Sequence, residues 1–92
     1  MQLYYFSSDR GVTESVFAAN QERATELFVE VLIMSRVPPA NFWSRTLEVD
    51  ASVEPHRSRL QEALAREEEG FGQYHDQSGW RIISLAERIR QL

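Results

Sequence analysis

At 92 residues, 42% hydrophobic and 26% charged, the chain has the size and composition of one small domain around one core. It has no cysteine, which excludes disulfides and thiolate metal sites, and no apolar run approaches the roughly 20 residues that cross a bilayer. Its net charge of -4 argues against broad electrostatic binding to nucleic acid or an anionic membrane, though a local basic patch stays open.

The N-terminus, Met1-Gln2-Leu3-Tyr4-Tyr5-Phe6, lacks the basic region and long apolar run of a signal peptide, so the expected compartment is the cytoplasm. All ten basic residues are arginine. A GC-rich genome accounts for that; the functional alternative is a use for arginine's planar fork and its stacking on rings.

Residues 3–7 read as an aromatic strand, Ser8-Asp9-Arg10-Gly11 as a turn, and residues 12–19 as a second strand rich in β-branched and aromatic side chains. Together they predict a β-hairpin. Adjacent Tyr4 and Tyr5 must point to opposite faces, so one should be at least partly exposed. Asn20 is a strong helix N-cap and Glu22 suits the first turn of a helix dipole. Ala24, Leu27, Phe28, Val31 and Leu32 then recur at the spacing of one apolar helical stripe, which predicts a helix over 21–35. Val29 and Ile33 form a second stripe that a small sheet would not cover. Later helices could bury it, or it could be a dimer contact.

Val37-Pro38-Pro39-Ala40-Asn41 should end that helix. Residues 42–49 read as the next strand, with Trp43, Leu47 and Val49 on one face. Arg45 shares that face and should lie at a sheet margin or pair with a carboxylate. A second helix should open near Pro55 with a thin stripe of Leu60, Ala63 and Leu64, supported by the Glu62–Arg66 spacing. Glu67-Glu68-Glu69 opposes the dipole at its end, which suits a solvated terminus, and Gly70 is the expected left-handed residue beyond it. Phe71 to Tyr74, a polar turn His75-Asp76-Gln77-Ser78-Gly79, and Trp80 to Ser84 predict a second hairpin. Ser84-Leu85-Ala86-Glu87 fits a capping box that opens a short last helix. The expected fold is α+β, order β-β-α-β-α-β-β-α, a small antiparallel sheet with the main helix on one face.

The residues give little support to an enzyme. His56 and His75 lack the companions of a metal site; Gly-x-Ser-x-Gly and phosphate-binding loops are absent from the sequence; and carboxylate pairs such as Asp50 and Glu54 are unspecific among fourteen acids. No catalytic residue, metal or cofactor is expected. Tyr74, His75, Trp80 and Arg81 are the candidate interaction residues, because aromatic and arginine side chains dominate interface hot spots and also stack on bases. Phe71 and Trp80 could equally be core. In size and style, with no motif behind it, the chain resembles the small orphan proteins of phages and mobile elements, anti-CRISPR inhibitors among them. The leading expectation is a non-enzymatic cytoplasmic interaction module that binds a protein partner or itself as a possible homodimer. A nucleic-acid-associated or nucleoprotein-inhibiting protein comes second and an enzyme third.

Overall fold

The computed structural model describes residues 1–36, 41–49 and 52–92. In chain order they form β1 (Gln2–Ser8), β2 (Thr13–Ala18), α1 (Gln21–Ser35), β3 (Phe42–Leu47), α2 (His56–Ala65), β4 (Gly70–His75), β5 (Gly79–Ile83) and α3 (Leu85–Arg90). The strands make one antiparallel sheet in the order β3-β1-β2-β4-β5. This is the expected α+β class and element order, with strand ends moved by one or two residues.

The turn between β1 and β2 closes on Ser8, whose buried hydroxyl accepts from the amides of Arg10 and Val12. Gly11 supplies the positive φ of 79° that the turn requires. Tyr4 is buried and Tyr5 half-buried on the opposite face. α1 begins at Asn20, whose Oδ1 accepts from the Arg23 amide at 2.9 Å. It ends on Arg36 in the left-handed conformation, whose amide donates to the Ile33 carbonyl. Of the segment expected to stop the helix, residues 37–40 lie outside the described residues, as does Asp50.

One face of the sheet packs on α1. Tyr4 and Phe6 from β1, Val16 and Ala18 from β2, Phe71 and Ile83 cluster with Ala24, Leu27, Phe28, Val31 and Leu32. The Phe6 and Phe28 rings stack with centroids 4.6 Å apart, and Phe42 of β3 leans on Phe28 at 5.3 Å. Leu85 of α3 joins the rim of this cluster. The other face packs on α2, where Leu3 and Phe17 meet Leu60 and Ala63, with Leu47, Val49, Leu64, Trp80 and Ile82 around them. The thin stripe expected for α2 is therefore a narrow seam on the second face.

One expectation at the end of α2 changes. The left-handed residue is Glu67, φ 52°, and Gly70 instead opens β4. A Cβ on Gly70 would overlap the Ile83 carbonyl oxygen, so glycine is needed there for close strand approach. The acidic end is solvated as expected, with Glu67, Glu68 and Glu69 all exposed, and the Glu69 carboxylate is in addition held by Arg23 of α1 at 2.7 Å.

Candidate interaction surfaces

The second hairpin distributes its four candidate residues over different surroundings. Tyr74 and Trp80 are cross-strand partners and so share a face, the α2 face, where both are half-buried. The Trp80 ring meets Phe17 edge-on at 5.5 Å and Tyr74 edge-on at 5.2 Å, and His56 of α2 sits 5.3 Å from Tyr74. Gly72 makes this packing possible: a Cβ there would come within 2.6 Å of the Phe17 ring and 2.9 Å of Trp80. Arg81 points to the opposite face, is exposed, and pairs with Glu87 of α3 at 3.3 Å. His75 is exposed at the end of β4, beside the turn.

Arginines of α2 clamp the hairpin from behind. Arg59 donates to the Gln77 carbonyl at 3.1 Å and lies against Gly79; Arg66 donates to the Trp80 carbonyl at 2.9 Å. Glu62 accepts from Arg66 at 3.1 Å. The hairpin is thus tied into the fold on its α2 side, leaving Arg81 and the turn residues outside.

Large apolar side chains are also exposed at the end of α1 and at the start of the edge strand β3, on different faces. Ile33 is 63% exposed, Met34 49%, Phe42 40% and Trp43 57%. Val29, one turn before Ile33, is half-buried. Leu85 of α3 approaches α1 near Leu27 and Val29, and Ile33 is left uncovered. Trp43 shares the face of Leu47 as the alternation requires, yet it pairs with Ser7 at the far end of β1, beyond the reach of α2. Arg45 lies at the sheet margin, the first of its two expected placements, on edge strand β3 with its guanidinium 5.3 Å from the Tyr5 ring centroid.

Two arginine–carboxylate forks complete the electrostatics. Arg88 of α3 grips Glu14 of β2 through Nε at 2.8 Å and Nη2 at 2.9 Å, and Glu14 is only 8% exposed. The hydrogen bonds that Arg88 donates to Glu14 hold its guanidinium above its ordinary pKa against the opposing effect of burial. Arg23 holds Glu69 in the same manner and adds Glu26 at 3.0 Å. The Arg23 hydrogen bonds keep the Glu69 carboxyl below its usual range. No group of three or more metal-ligating side chains occurs among the described residues, and no helix among them is long and apolar enough to cross a membrane.

Sequence reasoning missed the Glu14–Arg88 fork and the exposure of Met34, Phe42 and Trp43, whereas Ile33 was one of its possible dimer contacts. Glu14 had a signal: it alternates in phase with Val16 and Ala18, which places a carboxylate on the core face and demands a partner. No known protein family, curated protein or solved structure matches this chain.

Proposed function

We propose that the protein is a non-enzymatic, cytoplasmic interaction module that binds a protein partner, in the first instance a second copy of itself, through the open edge of strand β3. The observation that carries this reading is the open edge of the sheet at β3, where Phe42 is 40% and Trp43 57% exposed on opposite faces. β3 is an edge strand, its sequence Phe42-Trp43-Ser44-Arg45-Thr46-Leu47 has one charge and no proline, and edges left so unguarded readily accept another strand. A two-fold axis beside β3 would pair two such edges and bring Phe42 and Trp43 of both copies against the joint, the symmetry most small homodimers adopt.

Sedimentation velocity across a micromolar concentration series tests this. The wild-type chain should pass from monomer to dimer, and Trp43→Ser combined with Thr46→Lys, which places a charge on the edge strand, should hold it monomeric while leaving the circular dichroism spectrum unchanged. A wild-type chain that stays monomeric at high micromolar concentration removes the self-pairing reading. The alternative, a nucleic-acid-associated or nucleoprotein-inhibiting protein, draws support from Tyr5, Arg45 and Trp43 on the same strands, since rings and guanidinium groups stack on bases. A salt-dependent mobility shift of a single-stranded oligonucleotide by the monomer would put it first.

A further inference from the structure

The hydrogen-bonding pattern between β1 and β3 determines which backbone groups of β3 stay open. The Asp9 amide donates to the Asn41 carbonyl at 3.0 Å, and along an antiparallel ladder pairs that exchange hydrogen bonds alternate with pairs that do not. Ser7 lies opposite Trp43, Tyr5 opposite Arg45 and Leu3 opposite Leu47, so Trp43, Arg45 and Leu47 turn their amides and carbonyls inward to β1. Phe42, Ser44 and Thr46 turn theirs outward. Among the described residues none hydrogen-bonds to these outward backbone groups. The open stretch stops after Thr46, because the next outward carbonyl, that of Glu48, accepts from the Ser52 hydroxyl at 3.0 Å. At the opposite edge of the sheet the Trp80 carbonyl of β5 is already taken by Arg66 at 2.9 Å.

Two copies that meet edge to edge across a two-fold axis run antiparallel, and the outward residues of one must lie opposite outward residues of the other. Two registers keep most of β3 paired. With the axis at Arg45, the two Arg45 side chains stand face to face, and like charges directly opposite are destabilising. That register also sets Phe42 against Glu48, whose carbonyl is occupied. With the axis at Ser44, Ser44 meets itself and Phe42 meets Thr46, so every open residue finds an open partner. Trp43 then stands directly opposite Arg45 of the second copy. We infer that the protein dimerises in this register, with the axis at Ser44 and one sheet continuous across both copies, an inference that rests on the self-pairing reading above. Each Arg45 is then held between two rings, its own Tyr5, 5.3 Å away, and Trp43 of the second copy. A guanidinium over an aromatic face is attracted by the ring quadrupole, and the contact covers an indole that is 57% exposed on the single chain.

A charge at position 43 reads the register, because residue 43 faces residue 45 only when the axis lies at Ser44. Sedimentation equilibrium should give Trp43→Glu a dimer dissociation constant at least about tenfold below that of Trp43→Arg, since the first sets a carboxylate and the second another guanidinium against Arg45. The net charge of -4 works in the opposite direction, so general repulsion cannot produce this order. Trp43→Arg combined with Arg45→Glu should regain at least about tenfold over Trp43→Arg alone. Both positions are exposed, and circular dichroism should show an unchanged fold in every variant. With the axis at Arg45, residue 43 would face Leu47 and the two single variants would dimerise alike. A wild-type chain that stays monomeric overturns the self-pairing reading and the register together. A wild-type dimer in which Trp43→Glu and Trp43→Arg associate equally, or in which the double variant regains nothing, overturns the register alone.

Discussion

The face under α1 and the face under α2 belong to the same sheet and are closed to very different degrees. α1 spans fifteen residues and buries five of them in a cluster that includes stacked phenylalanines. α2 spans ten, buries Leu60 and Ala63, and is anchored to the hairpin by arginine hydrogen bonds to backbone carbonyls. The consequence is a division of labour within one sheet. Apolar contact area on the α1 side supplies most of the stability, while the α2 side keeps a cleft lined by Leu3, Leu47, Leu60 and Trp80, and beyond the end of α2 an uncovered row of Tyr5, Arg45 and Trp43. Narrow helices leave room for sites because they leave sheet uncovered.

The comparison can be broken most directly by truncating each core. Phe28→Ala should cost about 3–5 kcal/mol, since it removes a fully buried ring and opens a cavity, whereas Leu60→Ala should cost nearer the 2 kcal/mol end of the range for buried aliphatic side chains. Urea unfolding of both variants measures the gap, and equal losses would mean that α2 carries as much of the fold as α1.

The next effect sharpens the α1 side. Arg88→Met strands the buried Glu14 carboxylate and should cost about 3 kcal/mol, because breaking one half of a buried pair is worse than removing both. Glu14→Gln together with Arg88→Met should therefore recover part of the loss in the same unfolding assay. A double variant less stable than Arg88→Met would place the value of the fork in attraction alone.

The smallest effect lies at the exposed Arg23–Glu69 pair. Arg23 lowers the Glu69 pKa, so the pair's contribution is present above the ordinary carboxylate value of 4.5 and fades as pH falls through the lowered value. Glu69→Gln should lower the melting temperature slightly at neutral pH, a modest loss because the pair is solvated, and the two melting curves should merge in acid. A difference that grows as pH falls would contradict this assignment.

Much of the fold was legible because its signals are local. The α1 stripe, the Asn20 cap and the Ser84 cap, whose hydroxyl accepts from the Glu87 amide, each depend on neighbours within a turn or two. Strand order was not legible. That β1 lies between β2 and β3, and that β2 meets β4, depends on pairings between distant residues for which periodicity has no term. The hairpin residues show the limit at the candidate site. Alternation correctly separates Trp80 from Arg81, yet only the placement of α2 tells which face is covered. Glu67 in the left-handed region defeats the preference for glycine because Gly70 is required three residues on, where β4 passes the Ile83 carbonyl.

The pairing of β2 with β4 extends over three residues, Ser15 to Phe17 against Gly70 to Phe71 and Gly72, and this thin backbone seam has a consequence for cooperativity. Taken by itself it would let the two ends of the sheet part as separate units. Both helical clusters straddle it, however. The α1 cluster holds Val16 and Phe71 together, and the α2 cluster holds Phe17 beside Trp80 and Ile82. The forks Glu14–Arg88 and Arg23–Glu69 cross it as well. Local opening along the seam therefore requires both cores to loosen at once, so slow amide exchange should extend through Val16 and Phe71 as far as it does in the longer β1–β2 ladder.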